Sequence, residues 1–307
     1  MSKLPITITI LGCGSASPTK DTDAGSSQVL QADGQVYLID CCEGVQNYMI
    51  KAGIGPTKIN RIFISHMHGD HAFGLVPLIS YMDLVGRKEE LHIYGPEQLK
   101  TWIDVSIKCF YGQDKLDFPI NFHPLKHETA LLYQGHHLEI WSIQMAHSIP
   151  ANGFLFKEYG LLPHANMEAI MKYGIPLSQI KQIKRGKPGI TESGEEIPNE
   201  LLVLPPDKPK SYAYCSDTGY CPEIIKMCTG VSAMYHEASF QEKDKNKALM
   251  YGHSTASMAG KVAKEAGVEK LYIGHISARS NNHDILAEVM NEFEKTSIVR
   301  PGHVITL

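Results

Sequence analysis

Residues 62–75 read I-F-I-S-H-M-H-G-D-H-A-F-G-L, and within them His66, His68, Asp70 and His71 place four metal-ligand types in six positions. The apolar, β-branched run before them reads as a buried strand. In an extended segment, residues two apart point to the same side, so His66 and His68 can face one ion. Gly69 lets the backbone turn, and a turn there aims Asp70 and His71 at a neighbouring point. The stretch therefore offers two half-sites, and each needs further ligands because zinc usually takes about four. His147 after H-L-E-I-W-S-I-Q-M, Asp217 after Y-A-Y-C-S and His275 after L-Y-I-G are candidates to complete them, each just past an apolar run. Loops at strand ends collect function because a rigid scaffold positions them. Of the other histidines, His92, His123, His127, His136, His137, His164, His283 and His303 read as ordinary surface or hydrogen-bonded residues. A cluster as tight as H-x-H-x-D-H has little structural use, because it would be a crowded, partly charged patch. Imidazole donors suit zinc, and manganese and iron fit the same donors.

The elements that must carry these residues alternate. Strands are expected over Ile6–Leu11, Gln35–Ile39, Arg61–Ile64, Leu91–Tyr94, His137–Met145, Tyr212–Cys215, Val231–Tyr235 and Leu271–Ile273. Helices are expected after D-C-C-E-G to about Ala52, from Ala72 to Val85, after the G-P at 95–96, and over Pro222–Met227, Thr255–Glu265 and Asp284–Phe293. Strands mixed with helices in both halves predict an α/β fold with two central sheets and helices outside. Residues 155–206 break the pattern with short helical pieces, many Gly and Pro residues and few strand signals. Within them, 172–187 carries Lys172, Lys181, Lys184, Arg185 and Lys187 and no acidic residue. This reads as an inserted arm with a basic face, or as a long solvated loop.

Composition sets wide bounds. The 307 residues are 43% hydrophobic and 20% charged, ordinary for a soluble globular protein. No apolar run approaches the ~18 residues that span a bilayer. The N-terminus lacks a charged region followed by an apolar stretch, so no secretory leader is expected. Seven scattered cysteines without C-x-x-C do not read as a disulfide framework, and reduced thiols in a cytoplasm are expected. A formal net charge of −4 gives no hint of nucleic acid, so any RNA partner must be read from local patches.

S-H-M-H-G-D-H resembles the signature of the metallo-β-lactamase superfamily. The likeness extends in order through L-G-C-G-S-A-S-P, D-C-C-E-G, A-H-S-I-P, C-S-D-T-G and G-H-I-S-A-R, nearly the whole chain. It implies one αββα four-layer sandwich over residues 1–307. It also implies two zinc ions, one held by His66, His68 and His147, the other by Asp70, His71 and His275, with Asp217 bridging. A carboxylate can span two cations, and paired ions about 3.5–4 Å apart activate water for hydrolysis. Within the superfamily, Y-H-E-A-S-F at 235–240 and Y-G-H-S-T-A at 251–256 resemble segments of ribonuclease Z, and the 155–206 insertion occupies the place of that family's tRNA-gripping arm.

The resemblance implies an endoribonuclease that removes the 3′ trailer of precursor tRNA, using water activated on the metal ions. His253 would be the general acid, with Glu237 orienting it and holding it protonated. Asp70 would be both ligand and acceptor of the water proton. Lys20 and Arg279 match positions near the scissile phosphate, and Lys181, Lys184, Arg185 and Lys187 match the arm's basic stretch. His253 has a plainer reading beside a helix start, where Ser254 or Thr255 is a good N-cap, and His236 reads as a buried neighbour. The family is typically homodimeric. Two departures bear on substrate geometry: I-P-L-S-Q stands where many relatives' arms carry Gly-Pro, and D-T-D-A replaces Arg-Asn after the early lysine. The alternatives are a related phosphodiesterase for a small or cyclic nucleotide, and an RNA-binding protein without catalysis.

Overall fold

Ile8 and Ile10 alternate with threonines in the first strand, β1 (Thr7–Gly12), and both are fully buried, as is Ile6 just before them. That period of two gives the strand one apolar face, and the fold follows from where such faces are buried. The computed structural model describes residues 5–15, 25–112 and 116–307. β1 pairs antiparallel with β2 (Ser27–Ala32), which pairs antiparallel with β3 (Gln35–Ile39). β3, β4 (Ile59–Phe63), β5 (Leu91–Gly95) and β6 (Ile120–Pro124) then run parallel. Parallel neighbours need crossovers. These are α1 (Val45–Lys51), the one-turn α2 (Gly69–Ala72) with α3 (Leu75–Leu84), and α4 (Glu97–Tyr111).

The sequence reading of one helix from Ala72 to Val85 is corrected here. Gly74 splits it: its N–H donates to the Cys41 carbonyl at 2.9 Å, and a Cβ there would stand 1.8 Å from the Cys42 oxygen. The G-P at 95–96 also differs slightly, since Pro96 is the N-cap of α4 rather than part of its first turn.

The second sheet opens with the antiparallel pair β7 (Leu131–Gln134) and β8 (Leu138–Gln144), followed by β9 (Asn152–Glu158). Residues 155–157, read from sequence as the start of the insertion, are strand residues that pair with a later strand. Residues 158–209 form a separate compact unit. It contains β10 (His164–Ala165), α5 (Met167–Lys172), α6 (Ile180–Ile183), β11 (Gly189–Ile190), β12 (Glu196–Ile197), α7 (Asn199–Leu202) and β13 (Val203–Leu204). Ile170, Ile175, Ile183, Ile197 and Leu202 make its own small core.

The first unit resumes with β14 (Ser211–Cys215), α8 (Pro222–Met227), β15 (Ala233–Glu237), α9 (Lys245–Tyr251), α10 (Ala256–Ala266), β16 (Leu271–Gly274), α11 (Asn282–Glu292) and β17 (Thr296–Ile298). β14 to β17 run parallel, β14 also pairs antiparallel with β9, and β18 (Val304–Thr306) returns to β1.

Two seven-stranded sheets result. Between them lies an aromatic core in which Phe63 meets Phe154 at 5.3 Å and Tyr37 meets Phe156 at 5.7 Å between ring centroids. Outside the first sheet, Val45, Leu78 and Ile103 pack on Ile62 and Ile93. Outside the second, Ile224, Ala259 and Ile285 pack on Met234 and Ile273. The layers are therefore αββα, the expected sandwich. Strands buried on both faces, such as β14 and β15, carry no polar alternation. Among the described residues no helix is long and apolar enough to cross a membrane.

Candidate metal centre

The carboxyl ends of β4, β8, β14, β15 and β16 converge, and the polar residues just past them form one cluster. His66 and His68 follow β4, and α2 carries Asp70 and His71. This loop is fixed to its neighbour, since the Cys41 N–H donates to the His71 carbonyl at 2.7 Å. His147 follows β8, Asp217 follows β14 and His275 follows β16. Asp217 and His275 sit in the left-handed region at φ 50° and 54°, and Asp40 joins them at φ 55°. Strained backbone of this kind collects at functional sites because surrounding contacts over-determine it.

Two ligand atoms each ~2.0–2.1 Å from one tetrahedral ion stand about 3.3 Å apart. The spacings match that value in two sets. In the first, His66 Nε2 is 2.9 Å from His68 Nδ1, which is 3.3 Å from His147 Nε2. Asp217 Oδ2 is 3.5 Å from the His66 nitrogen and 3.8 Å from that of His147. In the second, Asp217 Oδ1 is 3.2 Å from both His71 Nε2 and His275 Nε2. Asp70 Oδ2 is 3.5 Å from the first of these and 3.4 Å from the second. The two sets meet in one carboxylate. A third grouping brings His253 together with Asp217 and His275.

The opposite ring nitrogens are tied to protein. His71 Nδ1 donates to Asp40 Oδ2 at 2.7 Å, and His147 Nδ1 to the Gly252 carbonyl at 2.8 Å. Only glycine serves at 252: φ is 68° and a Cβ would stand 2.7 Å from the Ser148 nitrogen. His275 Nδ1 lies 3.1 Å from Ser239 Oγ, and His66 Nδ1 2.9 Å from Ser65 Oγ. Such outer bonds fix the tautomer and aim the free nitrogen inward. His71 Nε2 is buried without a hydrogen-bond partner, although two carboxylates flank it. A divalent cation satisfies that nitrogen and both carboxylates at once, so the donor set fits a metal.

Electrostatics agree. Burial pushes His66 well below the usual imidazole range, helped by His71. Burial acts the same way on His71, but the charges of Asp217 and Asp40 outweigh it and hold its proton. Burial would raise Asp70, yet the hydrogen bond from His275 and the charge of His71 bring it down to about 2. Carboxylates that stay ionised and hold protons on neighbouring imidazoles will equally hold a cation, which displaces those protons.

Beside the second set stands a chain of hydrogen bonds. His253 Nδ1 donates to Glu237 Oε1 at 2.7 Å, Glu237 Oε2 accepts from Ser239 Oγ at 2.5 Å, and Ser239 faces His275. Burial depresses His253, but the Glu237 carboxylate, through charge and hydrogen bond, lifts it to about 9. Glu237 is buried whereas His253 is 16% exposed, so the imidazole alone reaches solvent. His236 is buried behind, its Nδ1 donating to the Glu237 carbonyl. Thr255 is the N-cap of α10, accepting from the Met258 N–H, so the helix start does not use His253.

The remaining candidates lie elsewhere. Arg279 is exposed, four residues past His275. Lys181, Arg185 and Lys187 are exposed and Lys184 half-buried in the 158–209 unit, and among the described residues none has an acidic partner. Lys20 lies outside the described residues. The histidines read as ordinary stay out of the cluster: His92 pairs with His123 at 3.1 Å and His164 with Asp207 at 3.2 Å. Sequence reasoning missed Asp40, which is wholly buried and also accepts from the Ser65 N–H at 2.8 Å and the Tyr214 hydroxyl at 2.6 Å. Its signal was a lone carboxylate ending the apolar strand Q-V-Y-L-I.

A sequence model of the family described as "Anti-Pycsar protein Apyc1" matches residues 6–169, the part that carries the H-x-H-x-D-H stretch and His147. A Bacteroides fragilis protein named Ribonuclease Z is 39% identical over 300 residues, covering 97% of this chain and 98% of that one. Among solved structures, the short form of human tRNase Z superposes with a TM-score of 0.70 at 23% identity, covering 97% of this chain and 98% of that one. The metallo-β-lactamase fold protein YhfI from Bacillus subtilis gives 0.68 at 19% identity, covering 99% and 100%. These two show the fold.

Proposed function

The chain belongs to the ribonuclease Z family, and through residues 6–169 to the family described as Anti-Pycsar protein Apyc1; on that premise we propose that it is a metal-dependent endoribonuclease that removes the 3′ trailer from precursor tRNA. The observation that carries the reading is the sharing of Asp217 between two donor sets, with the His253–Glu237 pair beside the second. His66, His68 and His147 with Asp217 Oδ2 would hold one zinc ion, and Asp70, His71 and His275 with Asp217 Oδ1 the other. Bound there, such cations polarise the phosphodiester and make water nucleophilic near neutral pH.

The chain's own residues move the protons. Asp70, 12% exposed at the mouth of the site, accepts the proton of the attacking water as the new bond to phosphorus forms. As the bond from phosphorus to the departing ribose oxygen breaks, His253 delivers the proton on its Nε2 to that oxygen. Glu237 keeps the other ring nitrogen bonded, which selects Nε2 as donor and favours the protonated ring. Solvent then reprotonates His253 and takes the proton from Asp70, and the cycle closes.

RNA as substrate is supported by the family and by the basic run at 181–187. Lys181, Lys184, Arg185 and Lys187 supply a sequence-independent phosphate grip, and Lys20 and Arg279 contact phosphate near the cut. Zinc is favoured by five imidazoles against two carboxylates, and a homodimer in a cytoplasmic setting is what the family resemblance implies. The test is cleavage of a precursor tRNA by the zinc-loaded protein. A single cut at the base of the trailer is expected. Intact RNA alongside hydrolysis of a small phosphodiester would overturn the RNA reading and leave the metal site standing.

A further inference from the structure

The ligand stretch ends in an aromatic side chain that the metal centre does not use. Phe73, two residues after His71, is 60% exposed. Its ring is nonetheless fixed. A Cβ on Gly69 would stand 2.4 Å from Phe73 Cε2 and 2.7 Å from its Cδ2 and Cζ, so the ring edge rests on the backbone between His68 and Asp70. Trp102 of α4 braces it from another side, with centroids 6.3 Å apart and planes tilted by 55°. Gly74, the next residue, cannot shift because the Cys42 carbonyl lies against it. Of the other large exposed apolar side chains described in this layer, Val105 lies one turn beyond Trp102 on α4, while Leu84 and Phe110 sit toward the C-terminal ends of α3 and α4. A helix the length of α3 spans roughly 15 Å, so Leu84 is not continuous with Phe73. A rigid aromatic surface therefore stands on the rim of the ligand loop.

We propose that the Phe73 ring is a stacking platform for a nucleobase next to the scissile phosphate. The proposal rests on the precursor-tRNA reading. Bases flanking a cut in single-stranded RNA are unstacked, and each offers a π face whatever its identity. An enzyme that takes many precursors needs a contact of that sequence-tolerant kind. The phosphate itself is drawn to the cations, and this ring offers an uncharged flat surface on the same loop.

The test compares Phe73→Ala, Phe73→Leu and Phe73→Tyr in the full-length, zinc-loaded protein. Leucine keeps bulk over Gly69 without a π face, and tyrosine keeps the face. Substrates are a precursor tRNA and the same RNA with an abasic ribonucleotide on either side of the cut. Ala and Leu should lower kcat/KM on intact RNA by about 5- to 100-fold, Tyr by less than about threefold, and the loss should shrink on one abasic RNA. Bound zinc and sedimentation should match the parent protein. The proposal is overturned if Leu cleaves like the parent, or if the loss persists on both abasic RNAs. It is equally overturned if zinc is lost in the Leu protein, or if the variants change oligomeric state, which would make the ring an interface between copies. A parent protein that leaves precursor tRNA whole would take down the function with it; one that cuts normally while Leu also cuts normally takes down only Phe73.

Discussion

The two units of the chain use polar residues in opposite ways. In the sandwich, His66, His71, Asp217 and Glu237 are buried, and their partners lie at hydrogen-bond or ligand spacing with strained backbone at Asp40, Asp217 and His275. In residues 158–209 a core of five apolar side chains suffices, and Lys181, Arg185 and Lys187 face solvent. Bond breaking needs groups fixed to tenths of an ångström, which only burial and satisfied hydrogen bonds supply. A phosphate grip needs charge at roughly the right place, which solvated lysines supply. Changes in the first unit should therefore act steeply on kcat, and changes in the second gradually on KM.

The largest effect is expected at the shared carboxylate. Asp217→Asn weakens both donor sets, and kcat on precursor tRNA should fall more than about a thousandfold, well beyond the 10–100-fold typical of an outer-shell partner. Metal analysis should show bound zinc reduced as well. Full zinc with near-normal turnover would break the comparison at its root.

His253→Ala should come next, with kcat down by about 10²–10⁴-fold and zinc retained. A general acid must be protonated, so the rate should fall as pH rises through its pKa. Glu237 lifts that pKa to about 9, and bound cations pull it lower by like charge. The alkaline limb of the kcat profile should thus lie below pH 9, and Glu237→Gln should move it to lower pH. A limb that stays in place, or moves up, contradicts the assignment.

Ser239→Ala removes the hydroxyl between Glu237 and His275. A loss of about 10–100-fold in affinity for the second ion is expected, with Ser239→Thr near the parent. A threonine that fails to restore zinc binding would show that the site needs only volume there.

The gentlest change is expected in the second unit. Replacing Lys181, Lys184, Arg185 and Lys187 with alanine should raise KM for precursor tRNA about tenfold and flatten its salt dependence by roughly 0.7 per lost phosphate contact. Hydrolysis of a small phosphodiester should stay unchanged. Equal losses on both substrates would erase the distinction between the units.

Much of this was legible in the chain, for local reasons. His66, His68, Asp70 and His71 are neighbours, so their spacing alone suggests a metal, and each β-branched run marks a strand whose end carries a polar residue. His147, Asp217 and His275 are far apart in sequence, and their partners were assigned by family likeness rather than by spacing. Asp40 was not legible, because its value lies in contacts with Ser65, His71 and Tyr214 that only the closed sandwich creates. Ser239 was hidden in the same way, and so was Gly74, whose role depends on a carbonyl from the 41–42 loop. β9 was read partly as insertion because its apolar run leads into a segment rich in Gly and Pro, and burial on both faces removed any alternation.

The central claim is that two cations share the Asp217 carboxylate and that cleavage needs both. It is tested most directly by adding zinc stepwise to metal-free protein while following both bound metal and cleavage of precursor tRNA. Cleavage should stay near background until one ion per chain is bound and rise to its maximum as the second fills. Full cleavage at one ion per chain, or in the metal-free protein, would contradict it.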